Sequence, residues 1–599
     1  MKSLMQLLFC VLEDSSTFCR ASTTRDFKTI SARVEHEGIS FLTISLPNFC
    51  KDFERSLEVQ YVDTSLFLGF KKRGALPCLF RGLLCQVFDP GSGFLLEEPN
   101  HDAIFFIRQI TLLYKKLSLQ CTDKRIKAAF DGYVQCDNEV RERSRNLHPS
   151  LYERFGSISD VLWGSTLQSV NSVVRRGTHV PRHGPGATAQ RISGNRKFSI
   201  QEWHSRLDVF FPSDVFCIPS WNDADSLERI DFLEPDAERP VRVITVPKTL
   251  KTPRIIAIEP VCMQYTQQSL LEILVPCLEK STVLRGALGF TNQVPNQQLA
   301  LSSSKTGVSS TLDLSEASDR VSNLLVLRML DCVPDFSGAL QACRSTSADV
   351  PGHGIITLAK FASMGSASCF PVEAMVFLTI CLSGILRRQG TPVTLKSLKK
   401  AMEGVRIYGD DIVVPTEYAQ SVISELTDFG LKVNLAKSFV TGKFRESCGM
   451  DAYDGTDVKP TYVRRMFPES RRDTENVISL FSLYNQLYKA GLWCAAGFLL
   501  KHMKKVKLPH PCVADTSPVL GLHSVLGYET ERMCPDLHRP LVKGLVVKGT
   551  PRSDPLNGYA ALLKFFLKRG LDPIFDVKHL ERYGRPEHVD IKARWAPPF

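Results

Sequence analysis

Two adjacent carboxylates, Asp410 and Asp411, sit in "VRIYGDDIVV" (405–414) between runs of apolar residues. That flanking predicts two short strands around a tight turn, with Gly409 taking the positive φ that a hairpin turn often needs. Two like charges ~4 Å apart at an effective dielectric of ~20 repel by about 4 kcal/mol, so a proton, an Arg or a divalent cation has to offset them. Mg²⁺ prefers carboxylate oxygens and leaves room for substrate phosphates. A third acid, Asp313, ends the β-like "GVSSTLDL" (307–314). Beside the hairpin tip in one sheet, it would complete a set suited to two-metal phosphoryl transfer. Taken singly, the pair reads as a solvated turn and Asp313 as a helix N-cap or edge residue.

The elements that must position these acids are legible as patterns. Val308 and Leu312 alternate as on one side of a strand, and Ser315 is set to cap a helix from Glu316 to about Leu330, with Val321, Leu324, Leu325 and Leu330 at helical spacing. On that helix Asp319 would stand about one and two-thirds turns after Asp313. "SMGSAS" (363–368) precedes a second helix from about Ser368 to Arg388. A helix over 416–429, ended by Gly430, and a strand near 431–434 follow the aspartate hairpin. Upstream, "VRVITVPKTLKTPRIIAIEP" (241–260) reads as a basic hairpin. Residues 1 to about 150 mix β-like runs such as Ile39 to Leu46 with helical ones such as Ala103 to Leu117, and the chain beyond 450 reads as mostly helical.

Composition bounds the rest. With 599 residues, 43% hydrophobic and 23% charged, the chain can bury a large core and is not broadly disordered. Its 74 Lys+Arg against 63 Asp+Glu leave +11, which suits a polyanionic partner without naming one. The 18 Cys include no C-x-x-C pair, so they read as reduced, mostly buried thiols in a cytosol-like compartment. His179 and His183 are four apart, but Pro181 intervenes and no Cys pair lies near, so zinc is not expected there. Leu4 to Leu12 reads as a short docking helix, since Glu13 and Asp14 follow directly. The apolar run Ala374 to Leu386 is shorter than the ~20 residues of a membrane span, so no membrane partner is expected.

Order along the chain carries more than any single motif. "VPKTLKTPRIIAIEP" (246–260), "DLSEASDRVS" (313–322), "SMGSASCFPVEAMVF" (363–377), "IYGDDIVV" (407–414) and "FRESCGM" (444–450) follow one another at suitable intervals. Together they resemble the palm of RNA-directed RNA polymerases. More narrowly they are similar to the replicase catalytic (beta) subunit of the single-stranded RNA bacteriophages, the leviviruses. "HEGISFLTISLPNF" (36–49) and "HGPGAT" (183–188) extend the likeness over most of the chain. A narnavirus- or mitovirus-type polymerase is the near alternative, and a catalytically silent RNA-binding scaffold of the same fold the distant one.

The resemblance implies an α+β right-hand polymerase whose antiparallel palm sheet bears the catalytic aspartates. It implies that 1–150 contributes to the fingers and a fingers–thumb bridge, 151–304 forms fingers with the basic nucleotide-binding hairpin, 305–450 is the palm, and 451–599 is the thumb and C-terminal region. It further implies that Asp313, Asp410 and Asp411 ligate two Mg²⁺ ions, with Mn²⁺ as a substitute. Lys437 in "LAKSF" would protonate the departing pyrophosphate. Lys248, Lys251 and Arg254 would meet the triphosphate, and Asp319 would sense the ribose 2′-hydroxyl. Ser363, Gly365 and Ser366 match the loop supporting the templating base and the sugar. Asn commonly stands where Ser366 does, and the Ser side chain reaches less far. Glu373 has a family counterpart, and reads on its own as a buried helix carboxylate. The implied partners are an RNA template and product, nucleoside triphosphates, host elongation factors Tu and Ts and a ribosomal RNA-binding protein. The implied setting is the cytoplasm of the bacterial host, with chains started without a primer.

Overall fold

The computed structural model describes residues 1–551, 553–568 and 586–599, a mixed α+β chain in which helices surround several small sheets. The sheet that matters for chemistry has three antiparallel strands, Arg406–Tyr408, Asp411–Pro415 and Ser309–Leu312 in that order. Its central strand is apolar, and Ile412, Val413 and Val414 are buried, as expected for a strand covered on both faces. The cover on one side is the helix Cys369–Gln389, in which every residue from Pro371 to Leu386 is buried. At 21 residues it is longer than the apolar run within it and is long and apolar enough to cross a membrane, but 94% of its apolar window lies inside the protein. It is the central core helix, and the helix Thr416–Asp428 packs along it with Ser421 donating to the Gly384 carbonyl.

A second sheet carries the basic hairpin. Val241–Val246 and Arg254–Ile258 pair antiparallel, and Val241–Val246 continues through a parallel pairing to Ser347–Val350 and then Gly354–Thr357. The tip of the hairpin is tied down by the N-terminal region: Cys121 donates to the Thr249 carbonyl and Arg125 to the Leu250 carbonyl. The N-terminal helix Lys2–Cys19 runs beyond the Leu4–Leu12 stretch and buries Leu4, Leu7, Leu8 and Val11. Asp14 on it accepts from the backbone N–H groups of Cys494 and Ala495 at the start of the helix Trp493–Lys505, a charge-assisted cap. Buried residues between Leu4 and Leu117 and between Phe439 and Leu545 therefore share one core, separate from the core around the Cys369–Gln389 helix.

Several sequence expectations are corrected. Ile39 to Leu46 is helical, a π-helical turn over Phe41–Ser45 running into the helix Leu46–Val59. Phe41 and Leu42 on that turn are both buried in the core of the N-terminal region. Ser315 caps no helix: Glu316 takes φ 56°, a 3₁₀ turn covers Ser318–Arg320, and the helix Asn323–Leu330 is capped by Ser322, whose hydroxyl accepts from the Leu324 N–H. Val308 lies outside the strand and is exposed, unlike Leu312. Beyond 450 two helices, Thr474–Lys489 and Trp493–Lys505, give way to a long antiparallel pair, Pro540–Pro551 with Pro586–Ala596.

Candidate active site

The register of the three-stranded sheet decides the site. Ile412 pairs with Leu312, so the next residues outward, Asp411 and Asp313, lie level on adjoining strands, with Asp410 at the turn beside them. Gly409 makes the turn: its φ is 60°, and a Cβ there would come within 2.1 Å of the Phe370 ring. Asp313 is held by its neighbours. Its carboxylate accepts from Asn434 Nδ2 at 2.8 Å and pairs with Lys437 Nζ at 3.4 Å, and its backbone N–H donates to Ser438 Oγ.

Negative charge here exceeds what its neighbours neutralise. Burial, then Asp410, pushes the Asp411 carboxyl up to about 6, against hydrogen bonds from Cys448. Asp410 is reachable by water yet crowded by protein. That desolvation and then Asp313 raise it, while Lys437 and Lys248 pull the other way. Desolvation alone would lower the Lys437 ammonium, but Glu446 and Asp313 outweigh it and hold it above the usual lysine range. No three His, Cys, Asp or Glu side chains among the described residues stand close enough to hold a metal ion as they are. The donor set is nevertheless of the right kind for a hard divalent cation: three carboxylates on adjoining strands, two of them raised by their own crowding.

The basic residues of the hairpin, Lys248, Lys251 and Arg254, are exposed along its tip and the start of its second strand. Crowding, then Arg254 and Lys437, lowers the Lys248 ammonium while Asp410 and Asp313 raise it, so Lys248 faces the aspartates. Lys51 in the Leu46–Val59 helix was not foreseen from sequence. Burial and then Lys251, Lys115 and Lys437 lower it, so lysines of the N-terminal region join the same positive wall. Such a concentration of like charge favours a polyanion.

Asp319 does not ride a long helix but sits in the 3₁₀ turn, where Lys360 Nζ stands 3.1 Å from its Oδ1 and Ser363 Oγ donates to the same oxygen at 2.8 Å. Its neighbour Arg320 pairs instead with Glu139 and Glu316. Gly365 passes so close to the basic hairpin's second strand that a Cβ would come within 1.9 Å of the Ala257 carbonyl oxygen, at φ 132°. Ser366 donates to Gln267 Oε1, which also accepts from the Ala367 N–H, so this hydroxyl is committed to supporting the loop. Glu373 is buried beneath both acids. Burial first, then Asp410 and Asp319, drives its carboxyl well above the usual range, and Cys369 Sγ is its hydrogen-bond partner.

Elsewhere the sequence reading is refined. His183 stacks on Tyr265 and is pushed down to about 3 by burial, and His179 bonds the Phe210 carbonyl, both structural roles. The basic residues Arg464, Arg465, Arg471, Arg472, Lys501, Lys504, Lys505 and Lys507 are exposed. Asn434 and Lys360 escaped sequence reading. A lysine inside the apolar "ITLAKFAS" was the available signal for the second, and nothing distinguished the first.

Residues 236–494 match the family described as RNA replicase, beta-chain. The RNA-directed RNA polymerase beta chain of Enterobacteria phage fr is 35% identical over 223 residues, 37% of this chain and 37% of that one. The RNA-directed RNA polymerase subunit beta of Enterobacteria phage SP is 27% identical over 389 residues, 61% of each. An RNA-dependent RNA polymerase of BmCPV at the elongation state overlaps with a TM-score of 0.36 and 13% identity, covering 59% of this chain and 33% of that one. The matches thus span less than two thirds of the length of these curated relatives. The family match over 236–494 includes the basic hairpin, all three aspartates, the 363–366 loop and Lys437.

Proposed function

We propose that this chain is an RNA-directed RNA polymerase that replicates a single-stranded RNA phage genome, joining an RNA 3′-hydroxyl to the α-phosphate of a nucleoside triphosphate and releasing pyrophosphate. The observation that carries the reading is the strand register that brings Asp313 level with Asp411 beside Asp410, three acids drawn from two distant parts of the chain. The replicase family match over 236–494, which contains these residues, and the polymerase names of the relatives support it.

In this reading Asp313, Asp410 and Asp411 would hold two Mg²⁺ ions, with Mn²⁺ as a substitute. Bound there, the ions supply charge neutralisation for the attacking and leaving oxygens. The chain's own groups do the rest. Lys248, Lys251 and Arg254 bind and orient the triphosphate. Lys437, kept protonated by Glu446 and Asp313, donates a proton to the leaving pyrophosphate oxygen. Asp319 accepts from the ribose, and the 363–366 loop supports the template base and the sugar.

The same reading takes 151–304 as fingers, 305–450 as palm, 451–599 as thumb, and 1–150 as the part that bridges them. Initiation without a primer, action in the cytoplasm of a bacterial host, and work with elongation factors Tu and Ts and a ribosomal RNA-binding protein complete it. The test is incorporation of labelled ribonucleotide on an RNA template with Mg²⁺. The wild-type chain is expected to be active and Asp410→Asn to lose at least about a hundredfold, because charge stabilisation dominates phosphoryl transfer. Equal activity in the two would sink the assignment.

A further inference from the structure

Lys360 is wholly buried, in a segment whose neighbours Leu358, Phe361 and Ala362 are also buried. A buried ammonium is costly unless it is paired, and a Met of similar length would pack there without that cost. Its surroundings are built around it. The Tyr133 ring, on the helix Asp123–Arg145, lies 3.6 Å from Nζ, and the Tyr133 hydroxyl meets Ser363 Oγ at 3.0 Å. Asp137 on the same helix accepts from the backbone N–H groups of Ala359 and Lys360, and Arg344 donates to the Lys360 carbonyl. Backbone and side chain are thus both fixed before any ligand arrives.

The network delivers one product, a carboxylate in a single orientation. Lys360 and Ser363 both bond Oδ1 of Asp319, and among the described residues no hydrogen bond ends on Oδ2. The Asp319 side chain is 21% exposed while Lys360 is not exposed at all, so the cation is shielded and the acid is offered. Burial alone would lower the Lys360 ammonium, but Asp319 and then Tyr133 outweigh it, and it stays charged. With Oδ1 held by an ammonium and a hydroxyl, Oδ2 is the oxygen left to accept a hydrogen bond.

We propose that Lys360, braced by Tyr133, is a positioning residue for sugar selection: it fixes Asp319 so that Oδ2 accepts the 2′-hydroxyl of the incoming nucleotide. This rests on the polymerase reading above and deepens it. A site built to pair a substrate hydroxyl rejects the analogue lacking it, because the acceptor is left dry and unpaired. Without Lys360, Asp319 loses the contact that fixes Oδ1 and is free to turn, and that penalty disappears.

The test uses the full chain on an RNA template with Mg²⁺, measuring kcat/KM for ATP, 2′-deoxy-ATP and 3′-deoxy-ATP at one template position. Lys360→Met is expected to lower the ATP to 2′-deoxy-ATP ratio at least tenfold while ATP incorporation persists and the ATP to 3′-deoxy-ATP ratio stays within twofold. An active variant with an unchanged 2′-deoxy ratio overturns the inference alone, as does a change confined to the 3′-deoxy arm. A wild-type chain that incorporates no nucleotide overturns the polymerase reading itself, and the inference with it. If thermal melting shows that Lys360→Met does not fold, Tyr133→Phe decides. It keeps the ring and removes the hydroxyl that braces Ser363, and is expected to lower the 2′-deoxy ratio at least threefold. No change in that ratio overturns the proposal.

Discussion

Two acidic groups flank Glu373, and the protein treats them in opposite ways. Asp319 has a buried cation of its own and a hydroxyl on the same oxygen, so its charge is matched inside the fold. Asp410 and Asp411 crowd each other and Asp313. Hydrogen bonds from Cys448 on Asp411 and the pull of Lys437 and Lys248 on Asp410 are too weak to offset the burial that raises both. The difference separates an acid shaped to hold still from acids left short of positive charge. A fold that neutralises a carboxylate internally has assigned it to recognition, whereas one that leaves two adjacent carboxylates uncompensated has left room for a cation from outside.

The comparison breaks most visibly if the two kinds of acid behave alike. Asp410→Asn should abolish incorporation of every nucleotide by at least about a hundredfold, whereas Lys360→Met should alter the choice of sugar and spare much of the rate. Similar profiles for the two variants would erase the distinction. Next in size, Lys437→Met removes the ammonium that touches Asp313. It should lower kcat about tenfold to a hundredfold with little change in KM, read from single-turnover kinetics. Lys251→Ala, at the exposed hairpin tip, should raise the KM for nucleotide several-fold and leave kcat alone, in roughly the proportion expected for one solvated phosphate contact. If kcat falls with KM unchanged, Lys251 belongs to the chemical step instead.

Asp26 supplies a reference far from the site, and no effect on activity is expected there. Burial raises its carboxyl to about 6 from 3.8, against one hydrogen bond from the Phe80 N–H. An acid raised on folding favours the native state at low pH, and that contribution is lost as pH rises through about 6. Between pH 4 and 7 the wild-type chain should lose about 3 kcal/mol at most relative to Asp26→Asn, measured by urea unfolding. A parallel pH dependence in the two proteins would mean that burial of a lone acid costs less here than the argument about Asp410 and Asp411 requires.

Much of the site was readable in advance because it is encoded locally. Gly409 before paired acids, flanked by apolar strands, specifies a hairpin whatever surrounds it, and Pro-punctuated "VPKTLKTPR" specifies a basic turn. Local reading failed where a single backbone angle intervened. The positive φ at Glu316 ends what helical spacing alone would have continued, and moves Asp319 from a helix face into a one-turn loop. It failed again at Ile39 to Leu46, where a β-like run is helical and continues into the helix Leu46–Val59.

The sequence alone determined which residue types were available for phosphoryl chemistry, their order, and the short elements that display them, because turns, strands and caps depend on near neighbours. Tertiary structure alone decided which of those residues meet. Strand register set Asp313 level with Asp411, a buried lysine forty-one positions away in sequence became the partner of Asp319, and lysines from the first hundred and twenty residues joined the hairpin. Charges act through space and through the local dielectric rather than along the chain, so their pairing is fixed only once packing has set the distances and excluded the water.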